Sequence, residues 1–323
     1  MSDRPTDTDP DSRRAAMQDA VRRNPTRRRT SRETVRATDW VELAALRLVA
    51  WILGALPVDR GSALMGWVWR KVAPFNARHA RADRHLAAVM PELSPAERRA
   101  LLDRMWDNLG RVAAESFRLA DIMADPDRFE HAFTALEAHR ADLARGAVFA
   151  SLHQGNWELA GWGIRLAGFQ VAAVYNPLKN PLAEAFLLDR RTPVYDQGLF
   201  TRDRVSALKL RSLARQGVAI GMLADLHDYT GVEADFLGHR ARLATYPAVL
   251  ARRLGVPLVV GRVLRTTGVH FRVEAEVIDV PVTDDVDADI RAGALAMHRR
   301  FETYIREAPD QWMWAHRKWL TLR

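Results

Sequence analysis

The chain has 323 residues, 48% apolar and 27% charged, with a formal net charge of +8; this is material for one large domain or two modest ones and excludes wholesale disorder, a collagen-like repeat and a polytopic membrane protein. With no cysteine, disulfides, cysteine-ligated zinc or iron–sulfur sites and a cysteine nucleophile are all excluded, so any covalent step needs another residue. Only Lys71, Lys179, Lys209 and Lys318 are lysines, and the remaining 44 basic residues are arginines, whose planar fork suits anionic partners.

Residues 1–39 hold ten arginines, seven acids, Pro5, Pro10 and Pro25 and no apolar periodicity, the composition of a disordered tail. Between Arg22 and Arg36 seven arginines face only Glu33. That tract reads as a solvated arm or as a patch on anionic lipid, where each nearby charge is worth about 1 kcal/mol. From Trp40 to Leu56 the chain turns apolar, interrupted by Glu42 and Arg47; it is too short and too charged for the about 20 apolar residues of a spanning helix. An interfacial or core-packed helix is expected instead, continued after Pro57 by GSALMGWVWRKV. Trp40, Trp51, Trp67 and Trp69 then sit either at headgroup level or inside a helical subdomain. Residues 77–145 read as helical, with Ser94-Pro95-Ala96-Glu97 marking one N-terminus.

The periodicity changes at Gly146. Apolar runs at 147–152, 170–175, 218–225, 256–265 and 270–280 predict strands; the segments 153–168, 180–191, 205–217, 246–255 and 288–308 predict helices. The fold class is therefore α/β: a helical N-terminal part, then a mostly parallel mixed sheet flanked by helices. The division is a tail (1–39), a helical membrane-associating region (40–145) and an α/β catalytic region (146–323), with 40–323 one structural unit.

The sharpest motif is Ser151-Leu152-His153-Gln154-Gly155-Asn156-Trp157-Glu158. His153 follows an apolar strand and Glu158 opens the next helix, at the sheet edge where ligands gather in such folds. A carboxylate across a tight turn can orient the imidazole, leaving its other nitrogen to take a proton from a substrate hydroxyl. By spacing alone a structural histidine, serving packing or an ion-pair network, is the favoured reading. No G-x-S-x-G, H-E-x-x-H, P-loop or G-x-G-x-x-G motif accompanies it. His227, Asp225 and Asp228 lack a close second histidine, so no metal is expected. Outside the tail the basic residues are scattered among acids, so no nucleic-acid partner is expected either.

Four blocks, SLHQGNWELAGW (151–162), YNPLKNPLAEAFLLDRR (175–191), MLADLHDYTGVEADFLGHRARLATYPAVLARRLGVPLVVGRVLR (222–265) and REAPDQWMWAHRKW (306–319), resemble in sequence and order those of the bacterial lipid A biosynthesis acyltransferases, the lauroyl/myristoyl transferase family. MPELSPAERRALLDRMWDNLGRVAAE is similar to that family's N-terminal helical region. The resemblance covers about residues 40–320, and the H-x-x-x-x-E form separates this family from glycerolipid acyltransferases with H-x-x-x-x-D. It implies a glycerol-3-phosphate-acyltransferase-like fold and an enzyme at the cytoplasmic face of the bacterial inner membrane, peripheral or weakly anchored. That enzyme would move an acyl chain from acyl carrier protein, or coenzyme A, to a hydroxyl of a lipid A precursor. No cofactor beyond the thioester co-substrate is implied.

In this reading His153 removes the hydroxyl proton and Glu158 holds the ring. Arg191, or Arg190 in the alternative register, and Asp225 surround the oxyanion or an acceptor phosphate. Asn156, Asp228, Tyr229, Arg240 and Arg242 contact substrate. Plainer readings stand beside these roles: a helix-end arginine, a loop-capping aspartate and a basic loop. Trp312, Trp314 and Trp319, with His316, Arg317 and Lys318, form an interfacial anchor or a terminal segment packed on the sheet. Relatives with this dyad acylate other lipids, so a lysophospholipid, an ornithine lipid or a glycosylated phosphoinositide is the alternative acceptor.

Overall fold

A computed structural model describes residues 35–131 and 133–322, so the arginine tract expected to be a disordered tail lies, up to Thr34, outside the described residues. The last residues assigned to that tail are helical: α1 (Ala37–Gly54) begins where the Asp39 carboxylate accepts the Arg36 N–H at 2.8 Å. Pro57, with its fixed φ and no N–H to donate, separates α1 from α2 (Val58–Val72). The Asn76 side chain caps α3 (Ala77–Val89), and a reciprocal Ser94–Glu97 box with proline in the first turn opens α4 (Pro95–Glu115); each cap is worth about 1 kcal/mol. Helices α2 and α4 touch backbone to backbone, because a Cβ on Gly110 would meet the Met65 carbonyl oxygen at 2.4 Å.

Helix α1 buries only Leu43 and Leu53. Trp40, Trp51, Trp67 and Phe75 stay exposed, whereas Trp69 packs towards Trp106. Among the described residues no helix is long and apolar enough to cross a membrane. After α4 the expected helical stretch breaks into α5 (Leu119–Met123), a short strand β1 (Phe129–His131), α6 (Thr134–Glu137) and α7 (Arg140–Leu143). Strand β1 exists through its parallel pairing with a distant strand, which local periodicity cannot announce.

The rest of the chain supplies β2 (Ala147–Ser151), α8 (Ala160–Leu166), β3 (Val171–Val174), α9 (Pro181–Arg191), β4 (Leu199–Phe200), α10 (Arg204–Ala214), β5 (Ala219–Leu223), β6 (Val232–Phe236), β7 (His239–Leu243), α11 (Tyr246–Leu254), β8 (Leu258–Thr267), β9 (His270–Ile278) and α12 (Val286–Glu307). Seven strands form one sheet in the order β1-β9-β8-β2-β5-β3-β4, parallel at every pair except β8–β9. The molecule is thus the expected α/β protein, helical first and then built on a mostly parallel sheet. Every residue of β2 and β3 is buried, as a sheet covered on both faces requires. The β6–β7 hairpin stands apart from this sheet and turns at Leu237 and Gly238, both at positive φ (52° and 83°), the backbone that matches strand twist in a tight hairpin.

The C-terminal segment returns over the site. Trp312, Trp314 and Trp319 are buried, and their indole N–H groups donate to Asp225 Oδ2, the Pro309 carbonyl and the Phe236 carbonyl. The packed-segment reading is therefore the right one. Indoles sealed in the core cannot reach a headgroup layer, so the anchor reading is corrected.

Candidate active site

Strands β2 and β5 run side by side with Ser151 opposite Leu223. Two residues beyond that pair, on each strand, come His153 and Asp225, level with each other at the carboxyl edge of the sheet. Asp225 is fully buried and accepts three hydrogen bonds: from His153 N–H at 3.0 Å, from His153 Nδ1 at 2.7 Å and from Trp312 Nε1 at 2.8 Å. Burial alone pushes the Asp225 carboxyl up, but the His153 charge and these bonds outweigh it and hold the group well below the usual carboxylate range. An ionised carboxylate only accepts, so Nδ1 carries a ring proton, and the nitrogen that can act as a base in the neutral ring is Nε2. Two expectations are corrected here. The ring is oriented by Asp225 and not by Glu158, and Asp225, anionic and fully bonded, cannot bind an oxyanion or a phosphate.

Glu158 is committed to Arg191, whose Nε and Nη2 each donate to it at 2.6 Å. Burial works against the Arg191 cation, yet the facing carboxylate more than restores it and raises the guanidinium pKa. Of the two arginines, Arg191 is the one that pairs with Glu158 and borders the cavity. Arg190 instead lays its guanidinium 3.5 Å from the Phe186 ring centroid and donates to the Phe186 carbonyl.

The turn between His153 and Glu158 explains why they do not pair. Gly155 has a φ of +59°, and a Cβ there would come within 1.9 Å of the Val263 carbonyl oxygen. Asn156 N–H donates to the same carbonyl at 2.9 Å, pinning the loop to β8. The Asn156 side chain, expected at the substrate, is buried in the protein interior. Its Oδ1 accepts from Glu158 N–H, and its Nδ2 donates to Glu115 at 2.7 Å. Glu115 also accepts from Arg265 at 2.7 and 2.8 Å and from the Ser62 hydroxyl at 2.6 Å. Asn156 is thus a support for the loop.

Two cavities meet at this edge. One, of about 750 Å³, lies between the sheet and α8, bordered by His153, with an apolar stretch of Phe149, Ile164, Val174, Met222, Val263 and Val273 and a polar border that includes Arg202, Asp228, Arg262 and Glu274. Arg191 and Tyr195 also border it, and burial pushes the Tyr195 phenol up. The other, of about 1140 Å³, has Trp69, Trp106 and Trp157 in its wall with Arg78, Arg81, Arg84, Arg242 and Arg317. Trp157, Glu158, Leu226, His227 and Tyr229 line both.

Asp228 borders the apolar cavity, where its Oδ1 accepts from the Thr230 N–H and hydroxyl. Arg242 donates to the Tyr229 carbonyl at 3.0 Å and pairs with Glu233. Arg240, expected to contact phosphate, lines neither cavity. It stands opposite Asp235 in the hairpin, with Asp235 at 3.7 Å and Glu233 at 3.8 Å. Sequence reasoning missed the row Arg78, Arg81 and Arg84 as site residues, although helical spacing puts them on one face. It also missed the place of His316, which lines the basic cavity with its ring centroid 5.8 Å from that of His153.

A strand-edge histidine with its Nδ1 held by a buried carboxylate, at the meeting of two cavities in an α/β fold, is an arrangement that can take a proton from a hydroxyl. The chain matches the bacterial lipid A biosynthesis acyltransferases over residues 24–321 and belongs to that family; it is an acyltransferase. It is similar to the phosphatidylinositol mannoside acyltransferase of Mycobacterium tuberculosis H37Rv, 27% identical over 260 residues that span 77% of this chain and 80% of the relative. To the enzyme of the same description from Mycolicibacterium smegmatis it is 25% identical over 224 residues, 67% of this chain and 69% of that one.

Proposed function

We propose that the protein transfers a fatty acyl chain from a thioester to a hydroxyl of a glycosylated, phosphate-bearing membrane lipid of the phosphoinositide type. The observation that carries this reading is the meeting of the two cavities beside His153. The apolar stretch of the first, from Phe149 and Ile164 to Val263 and Val273, suits the hydrocarbon chain, and the arginines with tryptophan faces of the second suit a headgroup of sugar and phosphate. The relatives described as phosphatidylinositol mannoside acyltransferases support the acceptor. The family's lipid A description favours a lipid A precursor as the second reading, since that acceptor too combines sugar and phosphate.

In the proposed mechanism His153 Nε2 removes the acceptor hydroxyl proton as the oxygen attacks the thioester carbonyl carbon. Asp225 stabilises the imidazolium that forms. Collapse of the adduct breaks the carbon–sulfur bond, and His153 returns the proton to the leaving sulfur. Base catalysis of this kind is worth about 10² to 10⁴ in rate, and no acyl-enzyme is needed. Glu158 positions Arg191, and Nη1, the guanidinium nitrogen that Glu158 does not engage, is assigned to the developing oxyanion. Asp228, Tyr229 and Arg242 form the rim through which the acceptor enters.

The donor is assigned to acyl carrier protein ahead of coenzyme A, because a net charge of +8 steers an acidic carrier. The enzyme works as a peripheral protein on a membrane surface, with Trp40, Trp51, Trp67 and Phe75, all exposed, as its interfacial side chains.

The test is a transfer assay with labelled palmitoyl thioesters of both donors and, as separate acceptors, a mannosylated phosphatidylinositol, a lipid A precursor and a lysophospholipid. Label is expected in the mannosylated lipid as a base-labile ester. Label in the lipid A precursor alone selects the second reading, and label in the lysophospholipid alone overturns both.

A further inference from the structure

The mechanism leaves one buried cation without a task. Lys318, in the C-terminal segment that closes over the site, is only 1% exposed. Its ammonium lies 4.7 Å from the Phe236 ring centroid and donates to the Leu226 carbonyl at 3.3 Å. Among the described residues it forms no ion pair and no second side-chain hydrogen bond. A buried ammonium with a single carbonyl partner is costly. Methionine, unbranched and apolar, fills such a space without that cost, so packing alone does not account for a lysine here.

The titratable groups around Lys318 show which charge it answers. They are Asp225, Asp228 and, from α12, His298. Asp228 has Arg202 at 3.8 Å and two bonds from Thr230. His298 donates Nε2–H to the Ala244 carbonyl at 3.1 Å, and burial together with the Lys318 charge keeps its ring neutral. Asp225 differs from both. It is fully buried and ionised, and the groups that bond it are His153 and the Trp312 indole. The indole carries no charge and a base must be uncharged before it acts, so neither is a standing cation. Lys318 is tied to this aspartate by two short routes. Leu226, whose carbonyl it bonds, follows Asp225 in the chain, and Phe236 packs on Trp312 with ring centroids 6.2 Å apart. Burial pulls the ammonium down to about 8 while the Asp225 and Asp228 carboxylates oppose the fall, so it is a cation at neutral pH.

We propose that Lys318 is a positioning residue for the base: its buried ammonium is the standing counter-charge of Asp225 and limits how strongly that aspartate draws a proton onto His153. The inference rests on the reading of His153 as the base and Asp225 as its partner. An uncompensated carboxylate in the core favours the protonated form of an imidazole beside it. An imidazole already protonated in the resting enzyme cannot take a proton from a hydroxyl. A fixed cation in the same core weakens that draw, and so keeps the base ready without touching it. Asp225 still stabilises the imidazolium once the acceptor proton has arrived.

The experiment records kcat/KM against pH for wild type, Lys318→Met and Lys318→Gln with a labelled palmitoyl thioester. Donor hydrolysis by water serves as a readout that needs no acceptor, and circular dichroism checks the fold at each pH. Without the ammonium the acid limb of the profile is expected to move up by about one pH unit. Lys318→Met then falls about tenfold below wild type at the acid end and converges with it above about 8, where the wild-type lysine has also lost its proton. Glutamine keeps a donor for the Leu226 carbonyl but no charge, and should follow methionine. A loss by the same factor at every pH, or a glutamine variant with the wild-type profile, would show a lysine that only pins the loop and would overturn the inference. A second measurement leaves Lys318 in place. The chain has four lysines, so carbon-13 labelling of their Cε atoms lets the buried one be titrated by NMR. It is expected to lose its proton near 8 in wild type and at lower pH in Asp225→Asn. An unchanged titration overturns the inference whether or not the Lys318 variants fold. A wild-type profile with no acid limb, or activity retained by His153→Ala, would overturn the reading of the base itself, and this inference with it.

Discussion

Asp225 and Glu158 are both sequestered carboxylates at the sheet edge, yet their surroundings differ in the identity of the facing cation. Asp225 faces a histidine, whose charge appears only when a proton arrives. Glu158 faces an arginine, whose charge is permanent. The first pair responds to proton movement and the second supplies a constant field and a fixed shape. Their supports differ as well. Asp225 hangs from the C-terminal segment through Trp312, whereas Glu158 is tied through Asn156 and Glu115 to α4 and β8. The carboxylate nearest in sequence to the catalytic candidate is thus not the one that bonds its ring.

The contrast can be broken most forcefully at the histidine. His153→Ala is expected to lower acyl transfer by about 10² to 10⁴ while leaving thermal unfolding nearly unchanged, as read by activity and circular dichroism together. Turnover near wild type would remove the proton-moving role. On the arginine side the expected damage is to stability. Glu115→Ala leaves Arg265 as an uncompensated charge in a site where its side chain is only 8% exposed, and breaking such a buried pair costs about 3–5 kcal/mol. Denaturant titration checks this, and a change below about 1 kcal/mol would mean that the network does not hold the loop.

A smaller effect sharpens the same division. Burial pushes His85, His298 and His316 below their ordinary value of 6.5, His316 to about 4. His85 and His298 bond the Trp314 and Ala244 carbonyls, beside the segments that close over Asp225. A depressed folded-state pKa means that the unfolded chain binds more protons in this range, so the stability from these neutral rings is present above pH 6.5 and declines as pH falls towards 4. The melting temperature should therefore drop progressively over that window, with the C-terminal amides exchanging sooner than the Asn156 N–H. A flat profile from pH 7 to 4.5 would contradict the neutral assignment.

Much of the fold was legible because each central strand is a short apolar run and the helices between them keep helical spacing, one of them announced by the cap at Ser94. Strands β1, β4, β6 and β7 were not, because a strand of two or three residues, or a hairpin off the main sheet, owes its form to distant partners. His153 was visible from its place after a strand. Its partner was hidden by topology: β5 inserts between β2 and β3, so Asp225 becomes a neighbour only once the strand order is known. Given that order, the matching ends Ser151-Leu152-His153 and Leu223-Ala224-Asp225 would have sufficed. The two readings of the C-terminal tryptophans stayed open in the sequence for a related reason. Trp40 and Trp312 look alike as isolated aromatics, and only packing separates the exposed one from the donor to Asp225.

The most direct test sets Asp225→Asn against Glu158→Gln in single-turnover acyl transfer at saturating thioester. An asparagine at 225 cannot stabilise the imidazolium, and its amide favours the tautomer in which Nε2 is protonated and no longer basic. Glutamine at 158 keeps one acceptor for Arg191. The expected result is a loss of about 10² to 10⁴ for Asp225→Asn and of about tenfold for Glu158→Gln. A Glu158→Gln enzyme as crippled as Asp225→Asn, or more so, would contradict the assignment of Asp225 as the partner of the base.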